Sequence, residues 1–240
     1  MWPYPTLVAH RGGGKLAPEN TIAALACGLA HGYHAVEFDV MLARDGVPVL
    51  MHDPYLGRTV AGAGHVFDYD AAELRQMDAG SWFASRFAGE PVPLFTEAAA
   101  FCLANSIWMN IEIKPAPGFE AVTGAVVARA ASTLAGAPLL SSFSEVALAA
   151  AQDAAPAVAR ALLFDAVPAD WQARAVRLGA VAIHCNHRHL DGATAGAIKA
   201  ARFGLLCYTV NSVARARELL AMGVDAICTD RIDLFAPGAA

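Results

Sequence analysis

The sequence predicts an α/β fold, a closed TIM (β/α)8 barrel with a small inserted cap subdomain. Three observations lead there. Short aliphatic or β-branched runs alternate with Ala/Leu-rich helical stretches along nearly the whole chain. Its 240 residues suit one barrel, since such domains run to roughly 250 residues. Hydrophobic residues make up 56% and charged residues 16%, so there is ample material for a core and disorder is excluded as the main state.

In chain order, strands are expected over 7–10, 36–40, 47–52, 109–113, 139–142, 161–164, 181–184, 205–210 and 226–229. Helices are expected over 21–31, 96–105, 121–134, 145–154, 169–177, 192–201 and 213–222. That is one strand too many for eight places. Between residues 40 and 47 there is no room for a crossover of a dozen or more residues, and Asp45-Gly46 is a turn signal. Residues 36–52 therefore read as a β-hairpin after the second strand, which leaves eight parallel strands and returns His52 level with Glu37 and Asp39. Residues 53–93 hold five glycines, several aromatics and one short helix near 71–77. A connection this long is expected to be a binding element, here a cap over the barrel mouth, within a single domain spanning 1–240.

Charge and composition exclude several classes. Lys plus Arg is 17 against 22 Asp plus Glu, a net charge of −5, and there is no basic run, so neither a nucleic-acid nor an anionic-membrane surface is expected. No apolar stretch approaches the ~20 residues of a membrane span, so no membrane insertion is expected. The start, Met1-Trp2-Pro3-Tyr4-Pro5, lacks a basic stretch followed by an apolar one, so no leader is expected. The five cysteines are scattered without a C-x-x-C spacing, which points to reduced thiols and a cytoplasmic location.

The chemistry lies where strands should end. His10-Arg11-Gly12 follows the first strand, Glu37-Phe38-Asp39 lies on the second, His52-Asp53 closes the return strand and Glu112-Ile113-Lys114 ends the next parallel one. In a barrel these ends form the active face. A period of two puts Glu37 and Asp39 on one face of their strand, and Glu112 and Lys114 on one face of theirs. Pointed into the barrel mouth, three carboxylates repel one another unless a cation is present, and oxygen-only ligation favours Mg²⁺ or Ca²⁺. The other reading of the same charges is a structural ion network with Arg11 and Lys114. His10 and His52 are the acid–base candidates. Arg11 and Lys114 suit an anionic substrate. Together these groups describe phosphoryl transfer. A glycosidase is disfavoured, because Glu37 and Asp39 are too close on one strand to flank a sugar bond.

The motifs His10-Arg11-Gly12, Pro18-Glu19-Asn20-Thr21, Glu37-Phe38-Asp39-Val40, Asp45-Gly46, His52-Asp53, Gly80-Ser81-Trp82-Phe83, Glu112-Ile113-Lys114, Tyr208-Thr209-Val210-Asn211 and Thr229-Asp230, in this order, resemble those of the glycerophosphodiester phosphodiesterases, and most closely the bacterial cytoplasmic type associated with glycerol-3-phosphate uptake. The resemblance implies a TIM barrel with a small inserted subdomain. It also implies hydrolysis of glycerophosphodiesters, a small-molecule substrate, to an alcohol and glycerol 3-phosphate. It places metal ligands on Glu37, Asp39 and Glu112, the acid–base pair on His10 and His52, and phosphate contacts on Arg11 and Lys114. The family often has Trp where this chain has Tyr208. A lyase stopping at the cyclic phosphate and a non-catalytic phosphodiester-binding barrel are the alternatives, and two intact histidines argue against the second. Homo-oligomer formation is left open.

Trp82 and Tyr208 are read either as walls for the substrate or as packing. His184, His187 and His189 read as structural or rim residues rather than a second metal site. Asn20 and Thr21 read as the start of the first helix, and Glu19 as a brace for Arg11.

Overall fold

The computed structural model describes residues 2–235. Nine strands form one sheet: β1 (Leu7–Ala9), β2 (Ala35–Leu42), β3 (Pro48–Leu50), β4 (Trp108–Ile113), β5 (Leu139–Ser142), β6 (Ala159–Phe164), β7 (Ala182–Asn186), β8 (Gly204–Tyr208) and β9 (Ala226–Thr229). Their order is β1-β9-β8-β7-β6-β5-β4-β2-β3, and a further β1–β2 pairing closes the ring. Eight strands run parallel in that ring. β3 alone is antiparallel, pairing Val40 with Leu50 and Leu42 with Pro48. The molecule is a TIM barrel carrying the expected hairpin.

Burial on both sides explains why these runs are strands. All eight residues of β2 are buried, as parallel strands between a helix layer and a filled interior must be. Outward residues such as Phe38, Ile111, Leu140, Ile183 and Ile227 enter the main core with the helices. Inward residues Val8, Ala35, Leu206 and Cys228 form a separate inner cluster. Trp2, Tyr4 and Trp108 close the N-terminal end of the barrel, with Tyr4 stacked on Trp108 at 4.4 Å. The other end remains for the site.

Among the described residues seven helices surround the sheet and an eighth, α2, lies in the insertion: α1 (Ile22–Ala30), α2 (Ala71–Leu74), α3 (Phe95–Ala104), α4 (Glu120–Ala131), α5 (Glu145–Ala154), α6 (Trp171–Arg177), α7 (Gly192–Ala200) and α8 (Val213–Ala221). Thr21, Ser144, Asp191 and Ser212 cap α1, α5, α7 and α8 by accepting a backbone N–H three residues on. α4 lies directly on α5 because Gly124 has no side chain; a Cβ there would come within 2.1 Å of the Ala147 carbonyl oxygen. No helix among the described residues is long and apolar enough to cross a membrane.

The hairpin departs from expectation in length. Its ladder ends at Leu50 rather than residue 52, and on the far side Leu50 N–H donates to the Pro93 carbonyl at 3.0 Å. Met51 N–H still donates to the Asp39 carbonyl at 3.1 Å, so His52 does arrive beside the end of β2. The insertion that follows has its own apolar cluster, including Leu56, Val66, Leu74 and Val92, built on Met41, Val49 and Met51 of the hairpin. Its helix covers one turn, Ala71–Leu74, rather than 71–77; Asp78 then accepts N–H groups from Gly80, Ser81 and Gly89 and turns the chain away. Arg44 ties the insertion to the hairpin through Asp70 and Glu73.

Candidate active site

Register brings the acids together. Parallel pairing sets Asp39 beside Glu112 and Glu37 beside Asn110. Oxygens of Glu37, Asp39 and Glu112 all lie within 4.8 Å of one another, and the three residues are 5%, 1% and 8% exposed. Among the described residues this is the one cluster with metal-type donors.

Two cations share this cluster. Lys114 Nζ lies 2.8 Å from Glu112 Oε1 and 3.5 Å from Asp39 Oδ1. Arg11 Nε lies 3.4 Å from Asp39 Oδ2. Burial would raise Asp39, but Arg11 and Lys114 outweigh it and hold its carboxyl below the usual range. Burial and the Asp39 charge push Glu37 up to about 8 and also raise Glu112. Glu37 Oε2 accepts only the backbone N–H of Arg11 at 3.0 Å, with His10 Nε2 at 3.9 Å. Glu37 Oε1 is buried without a partner. The ion network that the sequence allowed is therefore present but incomplete: two side-chain cations face three acids. A hard divalent cation fits the orphaned oxygen and the all-oxygen donor set.

Each candidate histidine rests on its own carboxylate. His10 Nδ1 is 2.6 Å from Asp230 Oδ1, and His52 Nδ1 is 2.6 Å from Asp53 Oδ1. Burial works against ionising both aspartates, yet hydrogen bonds and nearby positive charge lower each to about 2. As ionised carboxylates they accept only, so each Nδ1 carries the proton and Nε2 is left with its lone pair free to accept one. Burial depresses the His10 imidazolium, but Asp230 and Glu37 more than compensate and its pKa rises. Burial, with Arg11 and Lys114, lowers that of His52. The two rings line one cavity of about 250 Å³ together with Arg11, Glu37, Glu112, Lys114 and Tyr208.

A model of the glycerophosphoryl diester phosphodiesterase family matches residues 10–234, which is nearly all of this barrel and every group just described. The chain belongs to that family. YhdW of Bacillus subtilis strain 168 is 32% identical over 236 residues, covering 95% of this chain and 96% of its own. A glycerophosphodiester phosphodiesterase of Caldanaerobacter subterraneus is 31% identical, covering 93% of each chain. An Oleispira antarctica phosphodiesterase, solved with the product sn-glycerol-3-phosphate, superposes with a TM-score of 0.90 at 36% identity, covering 94% of this chain and 93% of its own.

Against this family background the remaining sequence expectations divide. Glu19 does brace Arg11, accepting from Nη1 at 2.6 Å. Thr21 caps α1, but Asn20 does not join it there. With φ at +58°, Asn20 turns inward, donates to Asp39 Oδ2 at 2.8 Å and accepts the Asp39 N–H at 3.1 Å. Tyr208 lines the cavity, anchored by its hydroxyl on the Phe164 carbonyl at 2.8 Å. Trp82 lies outside the lining; it is 43% exposed and donates to Ala79 within the insertion. His184 is buried in the cavity floor with Nε2 unpartnered, and burial lowers its pKa to about 3. His189 instead faces Asp165.

Sequence reasoning assigned no role to Asp230, Asn211 or Arg58. Asn211 donates to Asp230 Oδ2 at 2.9 Å and accepts its N–H at 2.9 Å. Asn211 and Asp230 each closed a quoted motif, at the ends of β8 and β9, but nothing local paired them with each other or with His10. His52-Asp53 did advertise its own pairing, as adjacent residues.

Proposed function

We propose that this chain hydrolyses glycerophosphodiesters to an alcohol and sn-glycerol 3-phosphate, with His10 and His52 as the acid–base pair. One observation carries the reading: two imidazoles, each oriented by its own aspartate, line one cavity whose wall holds Glu37, Glu112, Arg11 and Lys114, with Asp39 buried against the two acids. A mere binder of phosphodiesters has no need of either oriented imidazole.

Glu37, Asp39 and Glu112 would hold a divalent cation, Mg²⁺ or Ca²⁺. When bound, such an ion supplies charge neutralisation and polarises the phosphoryl oxygens. Arg11 and Lys114 hold the anionic diester. One histidine removes the proton of the glycerol 2-hydroxyl, whose oxygen attacks phosphorus. The other protonates the departing alkoxide, so the alcohol leaves and a cyclic phosphate remains. Water then gives its proton to the second histidine and attacks phosphorus. The glycerol 2-oxygen leaves with the proton held by the first, giving glycerol 3-phosphate and the starting enzyme. Internal attack benefits from proximity and makes the glycerol arm a requirement.

Residues 53–93 act in this reading as a cap within one domain, supported by their separate apolar cluster beside the mouth. Tyr208 forms part of the substrate wall. Five free thiols support a reducing, cytoplasmic setting. A coupled assay for released glycerol 3-phosphate across a panel of headgroups, with and without divalent ions, tests the activity. Phosphorus NMR separates hydrolysis from release of the cyclic product. Full-rate cleavage of a 2-deoxy analogue excludes the internal route.

A further inference from the structure

Arg58 lies in the insertion, yet its guanidinium grips two carboxylates of the site. Nη1 and Nη2 fork onto Oε2 and Oε1 of Glu19 at 2.7 Å each, and Nε donates to Oδ2 of Asp53. Each carboxylate has a second partner: Asp53 holds His52 Nδ1 at 2.6 Å, and Glu19 holds Arg11 Nη1 at 2.6 Å. The Arg58 side chain is 45% exposed, whereas Glu19 is 13% exposed and Asp53 26%.

An exposed single ion pair contributes little, but a fork onto two half-buried acids combines bidentate geometry with charge-assisted bonds. Without Arg58, Asp53 and Glu19 lose the one cation they share. The His52 ring and the Arg11 guanidinium are then steered by carboxylates that are themselves free to turn. We propose that Arg58 is a positioning residue: through Asp53 it sets the His52 ring and through Glu19 it sets Arg11, so the insertion completes the active site. The proposal rests on the roles of His52 and Arg11 given above. A structural role alone, pinning the insertion to the barrel, is the competing account, and Arg44 provides its control, since it pins the same insertion through Asp70 and Glu73 away from the cavity.

The test is steady-state kinetics of Arg58→Ala, Arg58→Lys, Arg44→Ala and His52→Ala on glycerophosphodiesters, with thermal midpoints for each. Arg58→Ala is expected to lower kcat by roughly 10–100-fold, the scale for losing an orienting partner, and to raise KM. A single ammonium cannot bridge both acids, so Arg58→Lys restores at most one parameter. Added guanidinium is expected to recover kcat in Arg58→Ala where methylammonium does not, and this readout also serves if the midpoint falls. Arg44→Ala keeps both parameters within about twofold, as exposed pairs predict. Wild-type kinetics in Arg58→Ala beside an inactive His52→Ala overturns the proposal, as does an equal loss in Arg44→Ala. Full turnover in His52→Ala overturns instead the reading of the site on which it rests.

Discussion

Nδ1 of His10 and Oδ1 of Asp230 meet at 2.6 Å across a sequence separation of 220 residues. The first and last strands are neighbours in the barrel, pairing Ala9 with Thr229, and the residue following each supplies one half of the contact. Barrel closure thus fixes the tautomer of a proposed catalytic imidazole. Asp230→Asn removes the charge but keeps the shape. It is expected to lower kcat by about 10²-fold or more, approaching the ~10⁴ known for loss of an orienting aspartate, with little change in KM. Turnover within a few-fold of wild type would separate His10 from the chemistry.

His52→Ala is expected to lower kcat by roughly 10²–10⁴, the usual scale for a general acid or base. The same substitution should leave the folded state intact, because the ring is part-exposed and hydrogen-bonded only to its neighbour Asp53. Near-normal turnover with unchanged product would refute the assignment.

Chelation is expected to abolish activity, and Mg²⁺ or Ca²⁺ to restore it. Binding to the folded chain alone should also raise its stability, by about 2.7 kcal/mol at a hundredfold excess over Kd. Glu37→Gln should lose that rise. Without added cation it should melt no lower than wild type, since Gln copies the shape of a carboxyl whose ionisation burial and the Asp39 charge already disfavour. A cation-dependent midpoint shift of equal size in wild type and Glu37→Gln would argue against Glu37 as a ligand.

His184 makes a pH prediction with a definite sign. Burial keeps its ring neutral, with a pKa of about 3, against about 6.5 in the unfolded chain. Between those values only the unfolded chain gains the proton. Stability is therefore full above the unfolded value and falls as pH drops below it, by about 2 kcal/mol at pH 5. Denaturant unfolding of wild type and His184→Leu at neutral pH and near pH 5 measures the difference. Parallel pH slopes would show that His184 gains its proton in the folded state too.

Much of this molecule was legible one residue after another. β5, β9 and α5 begin and end where the sequence placed them, because apolar runs and the Ser144 cap act within a few residues. Asp45-Gly46 announced the hairpin for the same reason: Gly46 sits at φ +77°, which glycine adopts readily. Period-two spacing also gathered Glu37, Asp39, Glu112 and Lys114, since four charges facing a helix layer would have been left without solvent.

Partner choice was not written locally. Asn20 has the chemistry of a helix cap, and only the proximity of Asp39 turned it into a brace. Trp82 stands in a motif, yet the fold of the insertion keeps it out of the cavity. Arg58 gave no signal of its own, and Asp230 stood in a motif without a role, because what each does depends on carboxylates or imidazoles delivered by other parts of the chain. The chain's own order of residues settled its architecture and its stock of reactive groups, through propensities and periodicities that operate over a turn or a strand. Which imidazole meets which acid was decided by ring closure, a long-range packing event that no short window of residues encodes.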